Sequence, residues 1–302
     1  MKAVRFDQYG GNEVLHIAEV PTPEPAAAEV LVRVKATGIN PFEWKVRQGL
    51  YQAFIPTAFP SGQGSDFAGV VTKVGSAVKD IRTGFEVFGF TNNRASHAEY
   101  VVADAHHLTA KPKSVSWEVA GALPVVGTTA YASVRAVALR PGDTVLVSAA
   151  AGGVGSIAVQ LARRAGAHVI GVASPPNHAW LKAQGVIPVA YGHGIAYRLH
   201  EHHIDALIDA HGDGYVKLAI DLGVARERIN TVADFAAVQQ YGVKAEGSDA
   251  AKNAAVLAEL AALVASRELE VPIAAAYPLE QVRAAFEQLE RGHTHGKIVL
   301  LP

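Results

Sequence analysis

Residues 143–173 constrain this chain more than any other stretch. A short apolar run, Asp143-Thr144-Val145-Leu146-Val147-Ser148, leads directly into Ala149-Ala150-Ala151-Gly152-Gly153-Val154-Gly155. A helical pattern from Ser156 to Ala165 follows and stops at Gly166. A second strand-like run, His168-Val169-Ile170-Gly171-Val172-Ala173, comes next. Strand, glycine loop, helix and strand within about 30 residues make a βαβ unit. Further strand-like runs at 206–209 and 228–232, with helical patterns between some of them, favour a parallel, doubly wound sheet.

The glycines define what such a loop can hold. A diphosphate needs backbone N–H donors at close range and the positive end of a helix dipole. Only residues without bulky side chains let the backbone come that near. Against the pattern G-x-G-x-x-G the loop has Ala150 first, then Gly152 and Gly155, and the extra Gly153 turns it into Ala-x-Gly-Gly-x-Gly. The motif is degenerate, but it follows a strand and opens a helix inside a βαβ unit, which is the context it needs. The competing reading is a tight strand–helix turn that binds nothing, and three glycines in that place weigh against it. An NAD site usually carries an acidic residue at the end of the second strand for the ribose 2′-hydroxyl. Here that end reads Val172-Ala173-Ser174-Pro175-Pro176-Asn177-His178, with no carboxylate. The Ser174 hydroxyl and the Asn177 amide suit a 2′-phosphate, with His178 and Lys182 as the nearest cations, so the segment leans to NADPH.

The flanking sequence sets the domain plan. Short β-like runs at 30–36, 68–74, 85–89 and 98–102, punctuated by Gly and Pro, describe a β-rich unit. From Trp117 to Ala138 the chain is Ala-rich with helical spacing, and an interruption is expected around Pro124 and Gly127. After the parallel-sheet region come a helix at 250–267, a strand at Glu270-Val271-Pro272-Ile273, a helix at 279–291 and a last strand, Lys297-Ile298-Val299-Leu300-Leu301. That last strand is expected to rejoin the first domain's sheet. The division is therefore 1–116 with 256–302, and 117–255.

Composition removes several classes. Half of the 302 residues are hydrophobic, too many for a disordered chain. There is no Cys, which excludes disulfides, thiolate metal ligands and cysteine nucleophiles. Lys+Arg 27 against Asp+Glu 28 leaves a net charge of −1, so no basic footprint covers the whole protein and nucleic acid is not an expected partner. No apolar run approaches the ~20 residues that span a bilayer. The N-terminus lacks a signal peptide's apolar stretch, and a soluble, cytoplasmic protein is expected. His200-Glu201-His202-His203 matches no zinc spacing and reads as a solvated helix end. Ser148 and Ser156 flank the loop without a Gly-x-Ser-x-Gly elbow, which speaks against a serine hydrolase.

Five ordered motifs carry a resemblance over essentially the whole chain. They are Gly38-Ile39-Asn40-Pro41-Phe42-Glu43-Trp44-Lys45, Gly64-Ser65-Asp66-Phe67-Ala68-Gly69-Val70-Val71, Ala98-Glu99-Tyr100-Val101, the glycine loop, and His295-Gly296-Lys297-Ile298-Val299-Leu300. The chain resembles the medium-chain dehydrogenases/reductases, and within them the zinc-free quinone oxidoreductase branch. The resemblance implies an α/β protein with a GroES-like, β-rich catalytic domain and a Rossmann cofactor domain, the active site lying between them. It further implies NADPH as cofactor, a quinone or α,β-unsaturated carbonyl as acceptor, and a homodimer. In zinc-dependent members the metal ligands match Asn40 and Ser65 here, with Asp66 beside them, a poor set for zinc, so no metal is expected. By resemblance Asn40 lies beside the nicotinamide, and Lys45 and Tyr51 face the substrate, which makes these three the catalytic candidates. Thr128 matches a nicotinamide-end contact and also suits a helix N-cap. Tyr191 matches a position beside the adenosine, Val232 one that bonds the carboxamide through backbone, and Lys297 a cofactor or cleft contact. With Asn40, Gly152, Gly153, Val154, Gly155, Ser174 and Asn177 they form the expected cofactor set. Without metal, the enzyme's task is to align the hydride and stabilise the developing oxyanion. The other function class is a non-catalytic NADPH-binding protein, crystallin-like or RNA-binding.

Overall fold

The β-like runs of the first hundred residues become a sheet that is antiparallel except at one edge. The computed structural model describes residues 1–91 and 93–302. Strands β1 (Lys2–Arg5) and β2 (His16–Glu19) form a separate antiparallel pair. β3 (Glu29–Gly38) is the spine of the larger sheet, and both β4 (Asp66–Val74) and β6 (Tyr100–Asp104) pair with it. β5 (Glu86–Phe90) joins β4, and β7 (Leu108–Ala110) joins β5. Strand side chains alternate between faces, so Val30, Val32 and Val34 meet Phe67, Val71, Val87 and Val101 in one buried cluster. The short helix α1 (Pro41–Arg47) starts straight after Asn40, with proline where the missing N–H costs nothing.

Helix α2 (Trp117–Ala136) is continuous, and the interruption expected at Pro124 does not occur. Proline removes one donor from the helical ladder, and the next N–H, that of Val125, goes to Asp66 Oδ2 at 3.2 Å. A buried carboxylate thus satisfies backbone at the proline turn. The chain divides into two units. One comprises residues 1–125, 253–268 and 273–302, and the other 126–252 and 269–272.

The second unit is built on β8 (Thr144–Val147), α3 (Gly153–Arg164), β9 (His168–Ala173), α4 (His178–Ala183) and β10 (Ile187–Ala190). It continues with α5 (Ile195–Leu199), β11 (Ala206–Asp209), α6 (Tyr215–Asp221), β12 (Ile229–Thr231) and α7 (Phe235–Tyr241). All its strands are parallel, in the order β10-β9-β8-β11-β12. The inner strands are largely apolar, as burial on both faces requires, and Leu146, Ile170, Leu207 and Ile229 are fully buried. The order reverses between β8 and β11, and the crevice at such a switch point is where open α/β sheets bind ligands.

The chain then returns to the first unit through α8 (Ala254–Ala265), β13 (Ile273–Pro278), α9 (Val282–Arg291) and β14 (Lys297–Leu301). β14 pairs antiparallel with β3, Val299 opposite Gly38, and β13 runs parallel to β14. The last strand therefore does rejoin the first sheet. The strand expected at 270–273 lies instead at Ile273–Pro278. The backbone of Glu270 is taken by a side-chain amide: Gln160 Nε2 donates to its carbonyl at 2.9 Å and Gln160 Oε1 accepts from its N–H at 2.8 Å. No helix among the described residues is long and apolar enough to cross a membrane.

Candidate functional site

In the second unit the glycine loop joins β8 to α3 at the switch point. Ala149 takes a left-handed φ of 46° to turn the chain out of the strand, and Gly152 caps the helix. The first intrahelical bond is Ser156 N–H to the Gly152 carbonyl at 2.9 Å. The N–H groups of Gly153, Val154 and Gly155 thus have no intrahelical acceptor, at the positive end of a twelve-residue helix. A Cβ on Gly155 would collide with the Ala149 carbonyl, so glycine there is a packing requirement of the loop itself. Where β9 ends, Asn177 Nδ2 donates to Ser174 Oγ at 3.1 Å, and His178 Nε2 lies 3.2 Å from the Ala173 carbonyl.

The neighbouring strand ends are tied together by Asp209, a residue that sequence reasoning passed over. Its Oδ1 accepts from Ser148 Oγ at 2.6 Å and from the N–H groups of His211 and Gly212 at 3.1 and 3.0 Å. Its Oδ2 accepts from Thr231 Oγ1 at 2.7 Å. One buried carboxylate thereby pins the C-terminal ends of β8, β11 and β12. The only hint in the sequence is an acid closing an apolar run. Val232 follows β12, and its N–H donates to the Asp209 carbonyl at 2.9 Å. Thr128 is fully buried inside α2, so it caps nothing, and its hydroxyl lies 2.9 Å from Ser248 Oγ. Tyr191 is 45% exposed on the loop after β10.

In the first unit the structure brings Asn40 and Lys297 together. Asn40 precedes α1, and Glu43 Oε2 reaches back to accept from the Asn40 N–H at 2.9 Å, one arm of a capping box. The Asn40 side chain turns elsewhere. Its Nδ2 donates to Glu43 Oε1 at 3.1 Å and to Asp66 Oδ1 at 3.0 Å, while its Oδ1 accepts from Lys297 Nζ at 2.7 Å. Lys297 Nζ also donates to the Ile39 carbonyl. Lys297 is only 4% exposed, although it opens a strand, and Asn40, Glu43 and Asp66 are equally buried. His97 completes the group, its Nε2 3.0 Å from the Gly38 carbonyl and 3.7 Å from Glu43.

Burial dominates the electrostatics here. It pushes the Asp66 carboxyl up to about 6, against the pull of Lys297, and raises Glu43 as well. It pulls the Lys297 ammonium down, while Asp66 and Glu43 hold it up. His97 falls to about 4 and is neutral, so Nε2 carries the proton for the Gly38 carbonyl. Lys45 and Tyr51 lie outside this cluster. Lys45 is on α1, its Nζ 5.8 Å from the centre of the Trp44 ring. Tyr51 stacks on Phe42 with ring centres 5.8 Å apart, and burial raises its hydroxyl. Among the described residues no group of three or more His, Cys, Asp or Glu side chains is placed to hold a metal ion.

The chain combines a GroES-like, β-rich unit with a unit built on a parallel, doubly wound sheet, the two parts of the medium-chain dehydrogenase/reductase architecture, and sequence comparison agrees. Residues 26–138 match the alcohol dehydrogenase GroES-like domain, and residues 168–300 match a zinc-binding dehydrogenase family. The chain belongs to the medium-chain dehydrogenase/reductase superfamily, in its quinone oxidoreductase branch. It is 37% identical over 194 residues to the chloroplast envelope quinone oxidoreductase homolog of Arabidopsis thaliana, a match covering 61% of this chain and 59% of that protein. It is 31% identical over 316 residues to the chloroplastic NADPH-dependent alkenal/one oxidoreductase of the same plant, covering 100% of this chain and 80% of the relative. The Escherichia coli quinone oxidoreductase complexed with NADPH superposes with a TM-score of 0.88 at 28% identity, with 100% of both chains covered.

Proposed function

We propose that this protein is an NADPH-dependent oxidoreductase that reduces quinones or α,β-unsaturated carbonyls by hydride transfer and needs no zinc ion. The observation that carries the reading is the α3 N-terminus at the switch point, where three backbone N–H groups without intrahelical acceptors face a loop too tight for any side chain at Gly155. A dinucleotide's diphosphate fits that donor set. Gly152, Gly153, Val154 and Gly155 would hold it, with Ser174 and Asn177 at the 2′-phosphate, and Thr128, Tyr191 and Val232 along the rest of the cofactor. A carboxylate just after β9 would repel that phosphate, and Ser174-Pro175-Pro176-Asn177-His178 contains none. When bound, NADPH supplies the hydride.

The chain's own part is to orient the acceptor and to offer hydrogen-bond donors to the oxygen that gains charge. Tyr51 suits the second task, because a phenol is a donor at neutral pH and burial raises its hydroxyl further. Lys45 supplies positive charge on the same segment. Asn40, Glu43 and Asp66 offer oxygen ligands and no thiolate, and the one imidazole beside them, His97, spends its Nε2 on the Gly38 carbonyl, so the set is ill-suited to zinc. The relatives' names point to the same acceptors, and a homodimer in the cytoplasm belongs to the reading.

The test is NADPH consumption by purified, chelator-treated protein with a panel of small quinones and enones, NADH run in parallel. Turnover with NADPH in preference to NADH is expected. Tight NADPH binding with no turnover on any acceptor would favour a non-catalytic binding protein, and sedimentation velocity checks the dimer.

A further inference from the structure

Glu43 and Asp66 are both shut away from water, and two buried carboxylates demand positive charge or a proton nearby. The charge comes from the far end of the sequence. β14 adds to β3 and carries Lys297 alongside Ile39 and Asn40. The Asn40 amide then lies between the ammonium on its oxygen side and the two carboxylates on its nitrogen side. Turned over, it would set NH2 against an ammonium and oxygen against two anions. Amide and carboxylate oxygens are the hard donors that usually gather around a divalent cation.

We propose that Lys297 is a built-in cation of this site, its ammonium doing for Asn40, Glu43 and Asp66 what a divalent ion does for an oxygen-donor set, and so fixing which way the Asn40 amide faces. One consequence concerns ligands. Both amide hydrogens of Asn40 are committed to carboxylates, so its side chain offers a bound molecule an acceptor and no donor. An N–H or O–H group can pair with it, and a carbonyl or an oxyanion cannot. That consequence rests on Asn40 belonging to the reductase site, whereas the charge balance is read without turnover.

The experiment uses the full chain as wild type, Lys297→Met, Asp66→Asn and the double variant. Each is dialysed against chelator and melted with and without Mn2+, and manganese content is measured. Wild type is expected to retain no stoichiometric manganese and to melt at one temperature in both conditions. Lys297→Met should melt about 10 °C lower, the scale of a broken buried ion pair. Adding Asp66→Asn, or Mn2+, should recover much of that loss, because either one removes the excess negative charge that loss of the ammonium leaves. If Lys297→Met does not fold but the double variant does, the result is the same. The proposal is overturned if wild type binds one manganese, if Lys297→Met melts like wild type, or if neither Asp66→Asn nor Mn2+ relieves the loss. Wild-type protein that oxidised no NADPH would sink the reductase reading alone, and the melting and metal data would still decide this one.

Discussion

Replacing His97 with asparagine should change how the stability of the first unit responds to acid. His97 is fully buried and its imidazole sits at about 4 in the folded chain, against 6.5 when free. The unfolded chain therefore binds a proton that the folded chain refuses, and stability is lost as pH falls through that interval. A separation of about 2.5 units corresponds to about 3 kcal/mol. Asp66 works the other way. Its folded carboxyl sits at about 6 against 3.8 when free, so the folded chain takes up the proton first and gains about 3 kcal/mol over the same acidification. In the wild type the two contributions nearly cancel. His97→Asn removes one of them. The variant loses the bond to the Gly38 carbonyl, about 1–3 kcal/mol at neutral pH. It should then gain about 3 kcal/mol on the wild type by about pH 4, closing or reversing the deficit. Urea unfolding of both proteins at several pH values, followed by circular dichroism, measures the difference. If the two curves stay parallel from neutral to acid, burial is not what keeps His97 neutral and the reasoning fails.

Asp66→Asn should show the opposite trend, losing about 3 kcal/mol relative to wild type between neutral pH and about pH 4 in the same titration. Gly155→Val places carbon against the Ala149 carbonyl and should weaken NADPH binding at least roughly tenfold, read by cofactor fluorescence, since a 1.4 kcal/mol loss suffices. Thr231→Val removes the partner of Asp209 Oδ2 and should cost about 1–3 kcal/mol in urea melts, whereas Thr231→Ser should restore most of it. Phe286→Ala empties a fully buried site beneath the Arg47 guanidinium, 4.9 Å from the ring centre, and should cost about 3–5 kcal/mol.

What the sequence determined by itself was local or periodic. The run from Asp143 to Ala173 specifies strand, loop, helix and strand because its signals lie within a few residues of each other. The glycines of the loop report a backbone constraint that holds wherever the unit is placed. The apolar stretch 297–301 was legible as a strand for the same reason. The tertiary structure decided everything that depends on partners distant in the chain. Pro124 reads as a helix breaker, yet α2 runs through it because Asp66, 59 positions earlier, accepts the Val125 N–H. Glu270 reads as strand until the Gln160 amide, 110 positions away, takes its backbone groups. Lys297 is expected by resemblance as a cofactor or cleft contact, and nothing local in the sequence shows that pairing of β14 with β3 carries it 257 positions back to Asn40 and out of water. The charge of a side chain is written in the sequence. Whether that charge is hydrated or must be balanced within the protein depends on which strands lie side by side, and that is settled only when the chain closes on itself.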